Sequence, residues 1–373
     1  MSYAAPRVER DGGTGWKVEI LHRGKSISRL WITARRMRIG AAVVRAGGIA
    51  GVGTDPAHRR RGLALRVLQR SLQMMADEGY ESSLLFGIED FYHRAGFATC
   101  MAEHGLSLAA ADARRAVSPL KTRPMGPEDL PAVRRLYATA NAARTASVVR
   151  GRRWREFPMG SGFGVRGLAR VVHPAGSPRR LLGYFLYDDR PDRSRLAEVA
   201  GRGAEAHAAV LRFLARRARA LRLERITASV PVDHPFALYC RGFGARDETV
   251  YPRNAGPMGR IIDLQRFAAA MVPEWERRWP ADGPGGIELQ TDLGAVALRR
   301  RRDGRLQVTG RLPGGGSRLR VSDQMALFQL AMGYRGADDA AAAGLLRGSR
   351  AALAVARGLF PLRVAHMWWP DRF

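Results

Sequence analysis

The sequence predicts an α/β (α+β) protein in three parts, the first two built on one repeated unit and the third on a different one. Three observations carry this. Phe91-Tyr-His-Arg-Ala-Gly-Phe97 is echoed by Leu238-Tyr-Cys-Arg-Gly-Phe243, and a helix pattern and a short strand pattern precede each copy. Short apolar or alternating runs, punctuated by glycine, alternate with amphipathic stretches. From about Gly256 the texture changes, with strands first and helices last.

Taken in order, Trp16–Leu21, Ser28–Thr33 and Arg38–Val44 read as strands, separated by Arg23-Gly24-Lys25 and by Arg35-Arg36. Gly47–Thr54 is a glycine-rich strand, a composition that asks for a close neighbour, backbone or ligand. Asp55-Pro56 breaks it. Gly62–Asp77 spaces Leu63, Val67, Leu68, Leu72 and Met75 as one helix face, with Gly79 at its C-terminal cap. Ser82–Gly87 is a strand and Glu89–Arg94 a short helix. The basic, proline-containing link Ala116–Pro127 opens the second unit. There Pro127–Thr139 is an acid-started helix, Leu181–Tyr187 a strand, Ala204–Ala220 a helix and Arg225–Val230 a strand. In the third part Ile287–Thr291, Ala295–Arg299 and Leu306–Arg311 are strands, the last two joined at Asp303-Gly304. Ser322 caps a helix through Met332, and Asp338–Leu346 and Ser349–Ala356 follow as helices. The chain ends Met367-Trp-Trp-Pro-Asp-Arg-Phe373, an aromatic tail that predicts docking. The domain boundaries expected are 1–117, 118–255 and 256–373.

The chain has 373 residues, a net charge of +28 and a pI near 11.5. Only Lys17, Lys25 and Lys121 are lysines, so arginine supplies almost all of the 62 basic residues. That skew reads as compositional bias, and the arginines are scattered, which argues against a nucleic-acid partner. Cys100 and Cys240 form neither a disulfide framework nor a metal-ligand spacing, so no metal is expected. No apolar run reaches transmembrane length; neither a membrane partner nor an export signal is expected, and the location expected is cytoplasmic.

The chemistry concentrates at Arg59-x-x-Gly62-x-Ala64, between a broken strand and a helix. Glycine there lets backbone N–H groups approach an anion, and the helix start adds about half a positive charge. With Val52-Gly-Thr-Asp-Pro-Ala-His-Arg-Arg-Arg-Gly-Leu-Ala64, Phe91–Phe97 and a C-terminal phenylalanine, the sequence resembles the GCN5-related N-acetyltransferases (GNAT), most of all the Eis-like (enhanced intracellular survival) branch. The resemblance implies two tandem GNAT folds with mixed sheets and a sterol-carrier-protein-like α+β domain. It implies acetyl-CoA as co-substrate, an amine acceptor (an aminoglycoside, a lysine or another amine) and a homo-oligomer, in this family a hexamer. Val52, Gly53 and Thr54 would serve the pantetheine arm and the thioester carbonyl. Arg59, Arg60, Arg61, Gly62, Leu63, Ala64 and Leu65 would line the pyrophosphate, with Ile88 and Glu89 beside the arm. Tyr92 would be the general acid for the CoA thiolate and the Phe373 α-carboxylate the base. Asp371 and that carboxylate would be the acidic contributors to an acceptor pocket.

Two departures stand out. The usual first strand and helix pair before the sheet are missing. The second fold carries Glu198-Val-Ala-Gly-Arg-Gly-Ala204 where a phosphate turn would be, so no CoA is expected there. A non-catalytic CoA- or lipid-binding protein of the same fold is the alternative function, and a charge-driven nucleic-acid binder a third.

Overall fold

The structure is a computed structural model, which describes residues 3–12, 15–151, 167–188, 195–310, 312 and 317–373. Its elements in chain order are β1 (Arg7–Asp11), β2 (Gly15–His22), β3 (Lys25–Ile39), β4 (Ala42–Thr54), α1 (Leu63–Asp77), β5 (Ser82–Gly87), β6 (Ala98–Thr99), β7 (Glu103–Ala109) and α2 (Ala110–Ala113). Then come β8 (Lys121–Pro124), α3 (Leu130–Ala140), β9 (Gly167–His173), β10 (Gly183–Asp188), β11 (Arg195–Gly201), α4 (Ala204–Ala220), β12 (Arg225–Ala228), α5 (Pro235–Arg241) and β13 (Arg246–Val250). The last are β14 (Gly256–Ile261), α6 (Leu264–Glu276), β15 (Gly286–Thr291), β16 (Gly294–Arg300), β17 (Leu306–Thr309), β18 (Ser317–Val321), α7 (Gln324–Met332), α8 (Ala337–Ala342), β19 (Leu346–Gly348) and α9 (Arg350–Leu359).

The chain forms two compact units, and neither is continuous. Unit one is 1–101 with 251–363 and Phe373; unit two is 102–250 with 364–372. This differs from the continuous division at 117 and 255, and strand pairing is the reason. β7 pairs with β12 and β13 in the second unit, while β14 lies between β5 and β6 in the first. Long-range pairing of this kind leaves no local trace in composition.

Unit one holds a seven-stranded sheet, β1-β2-β3-β4-β5-β14-β6, in which β4 and β5 are parallel and the rest antiparallel. Arg38–Val44 is not one strand: the chain reverses at Gly40, whose φ of +58° suits glycine, and Arg35-Arg36 lies inside β3. α1 packs its apolar face on this sheet, burying Leu63, Val67, Leu68, Met74 and Met75, each worth about 1.5–3 kcal/mol. Among the described residues no helix precedes β4, and a strand, β1, lies ahead of the first one expected at Trp16. A five-stranded sheet follows, β17-β16-β15-β18-β19. Arg311, the expected end of β17, lies outside the described residues. The N-cap of α7 is Asp323, one residue after Ser322, with Oδ1 accepting from the N–H of Ala326. The expected helix to Leu346 stops at Ala342, because Gly344 turns the chain at φ +72° and Leu346 starts β19.

Unit two holds β13-β7-β12-β11-β10-β9-β8. Its parallel pair, β11 and β12, is joined through α4, as β4 and β5 are through α1. The predicted docking of the tail is seen. Trp368 is 1% exposed in the unit's core, and its Nε1–H donates to Asn141 Oδ1 at 2.9 Å.

Candidate active site

The site grows from the end of β4. Pairing with β5 covers only Ala46–Ile49 against Ser82–Leu85, so beyond Ile49 the two strands part. On its other edge β4 stays with β3 through Thr54, and a bulge opposite Arg29–Trp31 absorbs one extra residue. Gly51 sits in that bulge at φ +58°, where a Cβ would stand 2.7 Å from the Trp31 ring. A bulge twists the strand and re-aims its backbone groups. Val52, Gly53 and Thr54 follow directly.

Asp55 then ends the strand: its Oδ1 accepts from the N–H of Ala57 at 2.9 Å and starts a short turn over Pro56–His58. The chain passes through two left-handed residues, Arg60 (φ +59°) and Gly62 (φ +73°), before α1. Such a backbone costs an arginine about 1–2 kcal/mol, the kind of strain that collects at functional sites. Gly62 caps α1 without any side-chain cap. The first-turn N–H groups therefore face outward with the positive end of the helix dipole behind them. Arg59–Gly62 are all exposed.

At the end of β5, Gly87 is required by contact: a Cβ there would lie 2.5 Å from Tyr92 Cδ2. Tyr92 is 8% exposed and packs edge-on against Phe91 and Phe97. Burial raises its phenol above the ordinary value, so it stays protonated at neutral pH.

The glycine-rich strand is explained by its two faces. A Cβ on Gly47 would collide with Met75 Sδ of α1, whereas one on Gly48 would lie 2.6 Å from the Phe373 ring. Successive residues point to opposite faces. Phe373 therefore lies on the face away from α1, where its ring also meets Phe86 edge-on at 5.8 Å. Tyr92 covers Gly87, on the α1 face. Tyr92 and Phe373 thus flank the end of β5 from opposite sides of the sheet.

A cleft of about 460 Å³ opens on this turn, lined by Val52, Gly53, Thr54, Arg59, Arg60, Gly62, Leu63, Ala64, Leu65, Ile88 and Tyr92 of the expected residues. Three expected residues are not in its lining: Arg61, Glu89 and Phe373. Arg61 turns to Tyr3, donating to its hydroxyl at 2.7 Å, and Glu89 forms an exposed pair with Arg253 at 3.2 Å. Three lining residues had been given no role: His58, Phe91 and Arg94. Phe91 and Arg94 lie within the Phe91–Phe97 motif, so a signal for them was present. Ile88 is 70% exposed, an apolar surface in the cleft wall.

In the second unit Glu198, within the run expected to lack a phosphate turn, is fully buried with Arg150 and Asp371. Asp371 is 4% exposed and accepts from Arg150 and from the Tyr137 hydroxyl. The acidic-pocket role expected for Asp371 is thereby corrected: its carboxylate is already paired. Among the described residues no cluster suited to a metal ion occurs, and no helix is long and apolar enough to cross a membrane.

Comparison with known proteins follows the same lines. Residues 3–100 match the family model described as "Acetyltransferase (GNAT) domain". Curated protein sequences give no significant match. Among solved structures, an Enterococcus faecalis V583 protein described as a "Probable N-Acyltransferase" is similar at TM-score 0.77 and 15% identity, over 96% of this chain and 89% of that one. A GCN5-related N-acetyltransferase from Anabaena variabilis gives 0.75 and 19%, over 96% and 89%. Eis1 from Mycobacterium abscessus gives 0.65 and 19%, over 97% and 92%. At these identities the likeness is one of fold.

Proposed function

We propose that the chain moves the acetyl group of acetyl-CoA to an amine in this cleft; the match of residues 3–100 to the GNAT acetyltransferase domain, which implies acetyl-CoA, supports this. The observation that carries the reading is the parting of β4 and β5 beyond Ile49 and Leu85, next to a helix whose bare N-terminus starts at Gly62.

The pyrophosphate sits against the N–H groups of Gly62, Leu63 and Ala64, with Arg59 and Arg60 adding charge. The pantetheine arm runs along Val52–Thr54 and the apolar wall of Ile88 and Phe91. A backbone N–H of the bulged strand faces the thioester oxygen and takes up its developing charge. The amine nitrogen attacks the carbonyl carbon from the Phe373 face. Its surplus proton passes to the α-carboxylate of Phe373. The C–S bond breaks, and the thiolate takes the Tyr92 phenol proton on the other face. The products are an amide and CoA thiol, and proton exchange with water resets both groups. The buried phenol supports this role, since a general acid must hold its proton until the thiolate forms.

The sterol-carrier-like reading of 256–373 and a homo-oligomer rest on family resemblance. Light scattering in solution checks the latter.

The test is thiol release from acetyl-CoA with kanamycin, spermidine and an N-terminally blocked lysine peptide as acceptors. The reading expects release with at least one amine, and loss of that rate in Tyr92→Phe and in a variant extended beyond Phe373, with CoA binding intact in both. Full activity in both variants would remove the catalytic assignment. CoA binding without turnover of any amine would favour the non-catalytic alternative.

A further inference from the structure

We infer that His58 is a phosphate-binding residue of the cleft, with Tyr3 and Arg61 as positioning residues that keep its proton on Nε2; this rests on the proposed reading of the cleft as a CoA site. The observation is a linked set of side chains on the turn ahead of α1, all within the first unit. The Tyr3 hydroxyl lies 3.1 Å from His58 Nδ1, and Arg61 Nη1 donates to the same hydroxyl at 2.7 Å. The Tyr3 and His22 rings meet the His58 ring edge-on, with centroids 5.7 and 5.5 Å away. Arg66 of α1 donates from Nη2 to the carbonyl oxygens of Tyr3 and Ala4 at 3.3 and 2.9 Å, which pins the segment carrying Tyr3 to the helix. His58 is half-buried and lines the cleft beside Arg59, Arg60 and Gly62, whereas the three arginines after it are exposed.

Donor counting fixes the tautomer. A guanidinium only donates, so the Tyr3 oxygen accepts from Arg61. The phenol hydrogen then goes to His58 Nδ1. A hydroxyl that accepts from a cation is polarised and donates more strongly, so the chain Arg61–Tyr3–His58 reinforces itself. A neutral imidazole that accepts at Nδ1 carries its proton at Nε2. The ring therefore presents an N–H to the cleft it lines, and two edge-on neighbours hold its plane. The other tautomer would present a lone pair, which repels a phosphate oxygen. Packing alone asks for no imidazole here, since a third aromatic ring would fill the same place; an N–H donor of fixed direction does. Arg61 thus serves the cleft without lining it: it turns to Tyr3 and sets the proton on His58.

The test is CoA binding by calorimetry on the full chain, which needs no acceptor, with each variant first shown folded by thermal melt. His58→Ala is expected to weaken CoA about tenfold, the size of one hydrogen bond to a charged group, whereas His58→Gln, whose amide N–H reaches the place of Nε2, stays within about threefold. Tyr3→Phe keeps the ring, removes the hydroxyl and weakens CoA severalfold. Dephospho-CoA, which lacks the ribose phosphate, separates the two phosphate sources. Equal loss with both ligands puts Nε2–H on the pyrophosphate; loss with CoA alone puts it on the ribose phosphate. NMR of the imidazole nitrogens in the unliganded protein, in mildly alkaline buffer, reads the tautomer directly, the His58 signals being those that vanish in His58→Gln. Nδ1 should be bare and Nε2 protonated, and the two forms should mix in Tyr3→Phe. A proton on Nδ1 in the unaltered protein would overturn the inference. So would a folded His58→Ala that binds CoA as tightly as the unaltered protein, or His58→Gln binding as weakly as His58→Ala. If the unaltered protein binds neither ligand, the CoA reading of the cleft itself fails, and the phosphate role of His58 with it.

Discussion

Replacing Gly48 by alanine isolates the terminal residue. Gly48 lies in β4, its φ is not in the left-handed region, and alanine suits a strand at least as well as glycine. The added Cβ would stand 2.6 Å from Phe373 Cδ1, against an ordinary carbon contact of about 3.5–4.0 Å. One of the two groups must yield by about 1 Å. The strand is held on both edges, through Gly48↔Leu84 and Thr33↔Gly48, whereas the ring is a side chain with torsions free to turn. The ring moves, and the carboxylate bonded to the same Cα moves with it. A misplacement of about 1 Å at a reacting group costs on the order of 100-fold in rate. Gly48→Ala is therefore expected to melt within a few degrees of the unaltered protein, to bind CoA unchanged and to lose about 100-fold in kcat. Steady-state thiol release with a good acceptor measures this. Wild-type kcat in the folded variant would refute the reasoning, since it would show that the terminal residue can be displaced without consequence.

Three further outcomes follow from the same geometry. Tyr92→Phe should lower kcat by about 10²–10⁴-fold with the KM for acetyl-CoA little changed. In the unaltered protein, activity should not fall with rising pH until above 10, because burial raises the phenol and the acid works only while protonated; a loss centred well below 10 would exclude Tyr92 as the group titrating. Gly62→Ala forces alanine to φ +73° and sets a methyl at the mouth of the cleft, where no atom lies within 4 Å of it. Calorimetry should show CoA affinity reduced at least about tenfold, and an unchanged affinity would make the glycine purely conformational. In the second unit, burial pushes His234 down to about 3 and His366 well below its ordinary 6.5, so each folds neutral and must gain a proton to unfold in acid. The unfolded chain then binds more protons below pH 6.5, and stability falls as pH falls. From pH 7.5 to 5.5 each contributes about 1.4 kcal/mol of loss, about 3 kcal/mol together. Urea titration at the two pH values measures it, and His366→Gln should remove its own share of about 1.4 kcal/mol; equal losses in both proteins would contradict the burial argument.

What the sequence allowed to be read, and what it did not, divides by range. Ser82–Gly87 and Ala204–Ala220 were legible to the residue because their signals are local: a short apolar run ending in glycine and a periodic apolar face opening after Gly203. Gly40 was missed because apolar residues continue through the hairpin on both sides of it. Arg35 and Arg36 were read as a turn because charge in a long strand looks like an interruption. The placements of β7 and β14 depend on partners more than a hundred residues away, and nothing in either segment marks them. The turn Arg59–Ala64 was legible because phosphate chemistry needs glycine at a fixed place before a helix. By contrast, Arg150 is 48 residues from Glu198 and 221 from Asp371, one arginine among many until folding makes it the partner of two buried carboxylates.

The most direct test of the central claim is a crystal structure of the protein with acetyl-CoA. The account predicts pyrophosphate oxygens within about 3.2 Å of the N–H groups of Gly62–Ala64. It also predicts the thioester in the gap beyond Ile49 and Leu85, between the Tyr92 hydroxyl and the Phe373 carboxylate. A nucleotide bound elsewhere, or a thioester outside that gap, would contradict it.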